Sequence, residues 1–182
     1  MASVSDIVLE NIHFSKINNY KKFDGKFCYV NYLEENLTIK LPDSKVIFDV
    51  DSNNITLSLT NKNVIDFIDS FNTLAIEHVY INSNYIYGFQ KSIDTLKEFY
   101  CSPHKVALTK KRFKDTLKLK LRIGVNNLKK FTNVSVVIVI SGLWFGSDSF
   151  GPYFDVKELN TIEHVNVYSF VEDNDDIENI EN

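Results

Sequence analysis

Residues Lys110–Gly124 read KKRFKDTLKLKLRIG, in which Leu117, Leu119, Leu121 and Ile123 alternate with Lys118, Lys120 and Arg122. A period of two places the aliphatic side chains on one face of a strand and the cations on the other. An NNLKK connection then leads into Thr132–Gly146, TNVSVVIVISGLWFG, the most continuous apolar run in the chain. GPYFDVKEL, Gly151–Leu159, adds further aromatic and aliphatic residues. Together these pieces predict the centre of a β-domain with one basic, aromatic-bordered face.

Upstream, Phe27–Leu59 carries apolar stretches centred on Tyr29, Ile39, Ile47 and Leu57, separated by EEN, PDS and DSNN. Those separators are turn-forming, so the segment predicts a meander. Ile7, Leu9, Ile12 and Phe14 suggest an edge strand, and NNYKKFDGK after them an exposed turn. Asn61 or Asn63 is placed to cap a helix over NVIDFIDSF, where Val64, Ile68 and Phe71 share a face. AIEHVYINSNYIYGF reads as extended, on Val79, Ile81, Tyr85 and Tyr87. A second short helix starts at Ser92, repeats Ile93, Leu96 and Tyr100, and is ended by Pro103. HVNVYSF, from His164, reads as the last strand. No Gly/Ser tract or sustained polar gap interrupts the chain before residue 171. The expected organisation is one domain over residues 1–171, followed by a flexible acidic tail over 172–182.

The 182 residues suffice for one ordinary core. The formal charge of -4 is unevenly spread. Lys105–Lys130 holds ten Lys or Arg against one acid, Asp115, whereas the last eleven residues hold six acids, Glu172 to Glu181, and no base. Local fields decide where an anion docks, so the basic stretch outweighs the average. Cys28 and Cys101 form no CxxC motif and are expected to be reduced thiols. The N-terminus lacks signal-peptide features, and Val134–Ile140 is too short to span a bilayer as a helix. A soluble intracellular protein with no membrane association is the expectation.

Single-stranded nucleic acid needs cations for its phosphates and aromatic faces for its bases. Lys118, Lys120 and Arg122 recur on one side of the strand roughly 6.5–7 Å apart, near the phosphate spacing of an extended strand. Lys110, Lys111, Arg112 and Lys114 lead into that strand, and Lys129 and Lys130 leave it. Trp144, Phe145, Phe150, Tyr153 and Phe154 are the nearby aromatics. Outward lysines also discourage edge pairing, and such aromatics also fill cores, so each residue has a structural reading as well.

Enzyme motifs are missing. The four histidines form no HExxH, the glycines at 142, 146 and 151 form neither GxGxxG nor a P-loop, and Ser141 and Ser149 lie in no GxSxG. Asp49 and Asp51 alone suggest a metal pair, without a supporting Lys or His. No enzymatic activity and no cofactor or metal are expected.

The Lys-rich strand, followed by VSVVIVISGLWFGSDSFGPYFDVKEL, a terminal strand and an acidic tail, resembles the single-stranded DNA-binding proteins of large DNA viruses and phages. That resemblance implies a mainly β, OB-like antiparallel barrel with two short helices. It implies that Lys118, Lys120 and Arg122 contact the backbone while the WF…SFGPYF segment lines the site. It also implies replication, recombination or repair as the setting, with replication proteins engaged through Glu172–Glu181, and host cytoplasm or nucleus as the compartment. A homo-oligomer is left open. The alternative is a viral structural or host-protein interaction module whose basic face meets an acidic protein.

Overall fold

The computed structural model describes residues 3–20, 25–47, 53–109, 112–121 and 128–162. Asp49, Asp51, Lys110, Lys111, Arg122, the expected last strand and the acidic tail lie outside them. Over the described residues the chain is mainly β with two helices. Two 3₁₀ turns, Val4–Asp6 and Leu9–Asn11, lead into β1 (Ile12–Phe14) and β2 (Asn18–Tyr20), and both strands pair antiparallel with β3 (Gly25–Tyr32). Then come β4 (Glu35–Val46), β5 (Asn54–Leu59), α1 (Lys62–Tyr87), α2 (Ile93–Phe99), β6 (His104–Thr109), β7 (Arg112–Leu121), β8 (Asn133–Phe145) and β9 (Phe150–Thr161).

Six strands, β3, β4, β5, β7, β9 and β8, close into a ring through β3–β8 and β4–β8 pairing. Counting only β4, β5, β7, β8 and β9, the order around the ring is first, second, third, fifth, fourth, which is the OB-like order. The expected mainly β, OB-like arrangement is present, and one joint of the ring is parallel rather than antiparallel. Among the described residues β7 and β9 run parallel, pairing Lys120↔Asp155 and Leu121↔Val156. Parallel closure follows from the odd strand inserted between them in sequence.

Burial explains why the alternating strand holds its register. Leu117 and Leu119 are fully buried and Leu121 nearly so, against exposed Lys118 and Lys120. Each such leucine contributes about 1.5–3 kcal/mol on leaving water, and a one-residue slip would expose all three. Leu37, Ile39 and Leu41 of β4 and Val136, Ile138 and Ile140 of β8 meet them inside the ring.

α1 fills the rest of the core. Val64, Phe67, Ile68, Phe71, Ala75, Val79, Ser83 and Ile86 form its buried stripe, and Phe71 packs edge-on against Phe154 at 5.9 Å. The stripe corrects the expectation of an extended 75–89. Residues 75, 79, 83 and 86 continue the helical period, with Ser83 concealing it, while Ile81 and Tyr85 are 76% and 55% exposed. Burial of that stripe outweighs the β-propensity of Val, Ile and Tyr. The helix is therefore long, 26 residues, capped by Asn61 Oδ1 and ended by Gly88 at φ 82°. The second helix is short as expected, with Ser92 Oγ accepting from Thr95 N. No described helix is long and apolar enough to cross a membrane.

Two expected turns also shift. PDS is a bulge within β4, between Leu41 and Ser44, where Ser44 Oγ donates to Pro42 O. The β3–β4 turn falls on Leu33 and Glu34, at φ 48° and 68°, positions usually given to Asn-Gly.

Candidate nucleic-acid interface

The outer face of β7 carries Lys114, Thr116, Lys118 and Lys120. Its β5 neighbours across Lys118 and Lys120 are Thr56 and Asn54, which bring no opposing charge. On the other edge, among the described residues, β6 pairs with Arg112–Leu117 and β9 with Lys120–Leu121. Between those partners Lys118 N donates to Pro103 O at 2.9 Å. A cleft of about 850 Å³ opens there, lined by Lys105, Lys118 and Lys120 together with Ser102, Thr116 and Tyr153.

An aromatic strip crosses the adjoining strands. Tyr153 of β9 is opposite Gly142 of β8, and Gly142 is opposite Tyr29 of β3. Gly142 lacks the carbon that would stop the Phe27 ring: a Cβ there would come within 2.3 Å of Phe27 Cζ. Phe27 consequently lies between Tyr153, at 5.9 Å between centroids, and Tyr29, at 5.0 Å. Lys120 Nζ stands 5.0 Å from the centre of the Tyr153 ring.

These rings wall a second cleft of about 820 Å³, which also takes in half-buried Trp144. The two clefts share Asn53, Lys120, Trp144 and Tyr153, so cations and rings border one continuous trough. Asp155 lines the second cleft at 7% exposure, and Ser141 Oγ donates to its Oδ2 at 2.7 Å. Lys26 lines the same cleft, but its Nζ donates to Tyr85 O and Ile86 O at 2.7 and 2.6 Å. It thereby satisfies the carbonyls at the negative end of α1.

Of the residues singled out from sequence, Lys118, Lys120, Trp144 and Tyr153 converge on the trough, which buried Phe145 and Phe154 also border. Phe145 and Phe150 do not serve as platforms. They are 3% and 0% exposed, stack on each other at 6.3 Å, and face the core because β8 and β9 turn them inward. Lys129 and Lys130 are exposed just before β8, at the opposite end from Trp144, roughly 35 Å along the strand. Lys114 is exposed on β7 but borders neither cleft. Arg112 pairs through its backbone with Thr109.

Phe27, Tyr29, Asn53, Ser141 and Asp155 were not identified from sequence. Phe27 and Tyr29 flank buried Cys28, a local period of two that signals outward rings, but nothing local ties β3 to β8.

His104, His78, Cys28 and Tyr87 are held by the packing of the fold, away from the trough. His104 bridges Asp69 of α1 through Nδ1 at 3.3 Å and Asp115 of β7 through Nε2 at 3.0 Å, fastening helix to sheet. His78 stacks on Phe14 at 4.3 Å, and burial lowers its pKa. Burial pushes the Cys28 thiol up to about 12, opposed by a hydrogen bond from the Leu143 backbone, which makes it unreactive near neutrality. Burial also pushes Tyr87 up to about 12, assisted by Asp148. Among the described residues no three His, Cys, Asp or Glu gather as a metal site.

Comparison with curated proteins and with solved structures gives no match. Residues 43–174 match a family of unknown function, DUF5871, and because that span exceeds half of the 182 residues, the chain belongs to this family.

Proposed function

We propose that this protein binds single-stranded nucleic acid, DNA in the first instance, holding phosphates by charge and bases by stacking. The observation that carries the reading is the shared trough: Lys105, Lys118 and Lys120 border one part, and Trp144, Tyr153, Phe27 and Tyr29 the other. A strand laid across it would place its backbone beside β7 and turn bases toward β8 and β3. A duplex keeps its bases stacked inside and offers the rings nothing. The outer face of the second and third ring strands is also where OB-folds receive oligonucleotides, which supports the reading by analogy of fold alone. The role is sequestration, in replication, recombination or repair, without covalent chemistry. The acidic residues Glu172–Glu181 would compete with nucleic acid for the lysines or recruit replication proteins.

Fluorescence anisotropy with single- and double-stranded oligonucleotides over a salt series tests this. The expected result is tighter binding of the single strand and an affinity that falls steeply with salt. Equal affinity for single strand, duplex and heparin would reduce the trough to a generic polyanion surface.

A further inference from the structure

We propose that the outer face of the second half of α1 pairs with the same face of a second copy of the chain, forming a weak isologous dimer, whatever the trough holds. The first half of that face is polar: Lys62, Asp66, Asp69 and Thr73 are exposed, and Lys62 is ion-paired with Asp66. After Glu77 the character changes. Tyr80, Ile81 and Tyr85 are 39%, 76% and 55% exposed, three, four and eight residues beyond Glu77, and Phe89 follows at 59%. These are the spacings of a helix stripe that packs against a neighbour. The stripe lies on the side of α1 away from buried Val79, Ser83 and Ile86. Apolar side chains gathered in water in this way mark an interaction surface.

The charges at the two ends of the stripe identify its counterpart. Glu77 stands at one end and Lys91 at the other, just past the capping Gly88. Among the described residues neither has an ionic partner. Lys91 is instead held among rings, its Nζ 4.1, 4.9 and 5.1 Å from the centres of Phe89, Phe99 and Tyr87. Its backbone N–H donates to Ser83 Oγ at 3.2 Å, which ties this loop to the helix.

Asn84 lies midway in sequence between Glu77 and Lys91. An antiparallel pair with its two-fold axis at Asn84 therefore directs Glu77 of each copy toward Lys91 of the other, the self-complementary arrangement of an isologous interface. Asn84 then meets its own counterpart, which suits a carboxamide because it both donates and accepts. Ile81 comes beside Gly88 of the second copy, where a Cβ would have nothing within 4 Å, so there is room for a protruding side chain. A parallel pair would instead set Glu77 against Glu77 and Lys91 against Lys91. One helix face is far smaller than the roughly 20–30 residues a side of a stable interface, so the dimer is micromolar or weaker.

Sedimentation velocity of the full chain, from about 1 µM to about 1 mM, tests this. The expected result is a weight-average mass that rises with concentration from one copy toward two. Ile81→Glu changes an exposed side chain and acts in both copies, so it should weaken association at least about a hundredfold and hold the chain monomeric. Glu77→Lys or Lys91→Glu alone should weaken it roughly tenfold, and the two together should restore it. A chain that stays monomeric throughout, or a dimer that survives Ile81→Glu, would overturn the α1 pairing. Single reversals without effect, or a double reversal that fails to restore association, would overturn the antiparallel register. Growth beyond two copies would overturn the isologous closure.

Discussion

Replacing Gly142 with alanine tests the packing on which the trough depends. A Cβ at this position would meet Cys28 O at 2.2 Å and Phe27 Cζ at 2.3 Å. Phe27 can swing aside, but the Cys28 carbonyl belongs to the β3–β8 ladder. Reaching even 3.0 Å demands a shift of about 0.8 Å in one of two paired backbones. Overpacking of this kind costs about 1–3 kcal/mol, and rigid backbone on one side puts Gly142→Ala near the upper end, about 3 kcal/mol. With a urea m-value of about 2 kcal/mol/M, the unfolding midpoint should fall by about 1.5 M. Two other glycines calibrate the result. Gly88 has open space but φ 82°, so its alanine variant should lose about 1 kcal/mol through backbone conformation alone. Gly146 meets nothing nearer than 3.4 Å, and its variant should stay within about 0.5 kcal/mol of the parent. Urea unfolding followed by Trp144 fluorescence measures all three. A Gly142→Ala midpoint no lower than that of Gly146→Ala would refute the close approach of β3 to β8, and with it the placement of Phe27 beside Tyr153.

Three further outcomes are expected. Lys118→Gln with Lys120→Gln removes two phosphate partners, so the slope of log affinity against log salt should shrink by about 1.4 and affinity at 0.15 M salt should drop roughly tenfold; an unchanged slope would take β7 out of the interface. His78 has a folded-state pKa below its ordinary 6.5, so the unfolded chain binds its proton more readily and stability contributed above that pH is lost as pH falls below it. His78→Phe should flatten that acid-side decline, as read from unfolding midpoints at a series of pH values, and a parallel profile would show that His78 does not contribute. Truncation after Val171 removes six carboxylates and should tighten oligonucleotide binding severalfold at low salt, with the gain vanishing at high salt; identical titrations would deny the acidic segment any competing role.

The strands were the legible part of this chain because their evidence is local. Leu117, Leu119 and Leu121 announce an inward face by alternation alone, and Asn61 and Ser92 mark helix starts by their side chains. α1 was half legible: Val64, Ile68 and Phe71 show its period, but Ser83 replaces an apolar residue where the stripe continues. The site was legible on the strand that carries its lysines and illegible across the sheet. Phe27 joins Tyr153 only because β3 lies against β8 over a bare glycine, and Asp155 enters the cleft only because β9 closes beside β7. Phe145 and Phe150 show the reverse limit. Aromatic composition does not tell which way a strand turns its rings.

Among the described residues the parallel joint of β7 with β9 spans two residue pairs, and Lys120 and Asp155 form one of them. Any oligomer that contacts both sides of this joint would act as a rivet across one of the short seams of the ring. Occupancy and ring integrity then become a single equilibrium, in which a guest strengthens the very enclosure that receives it.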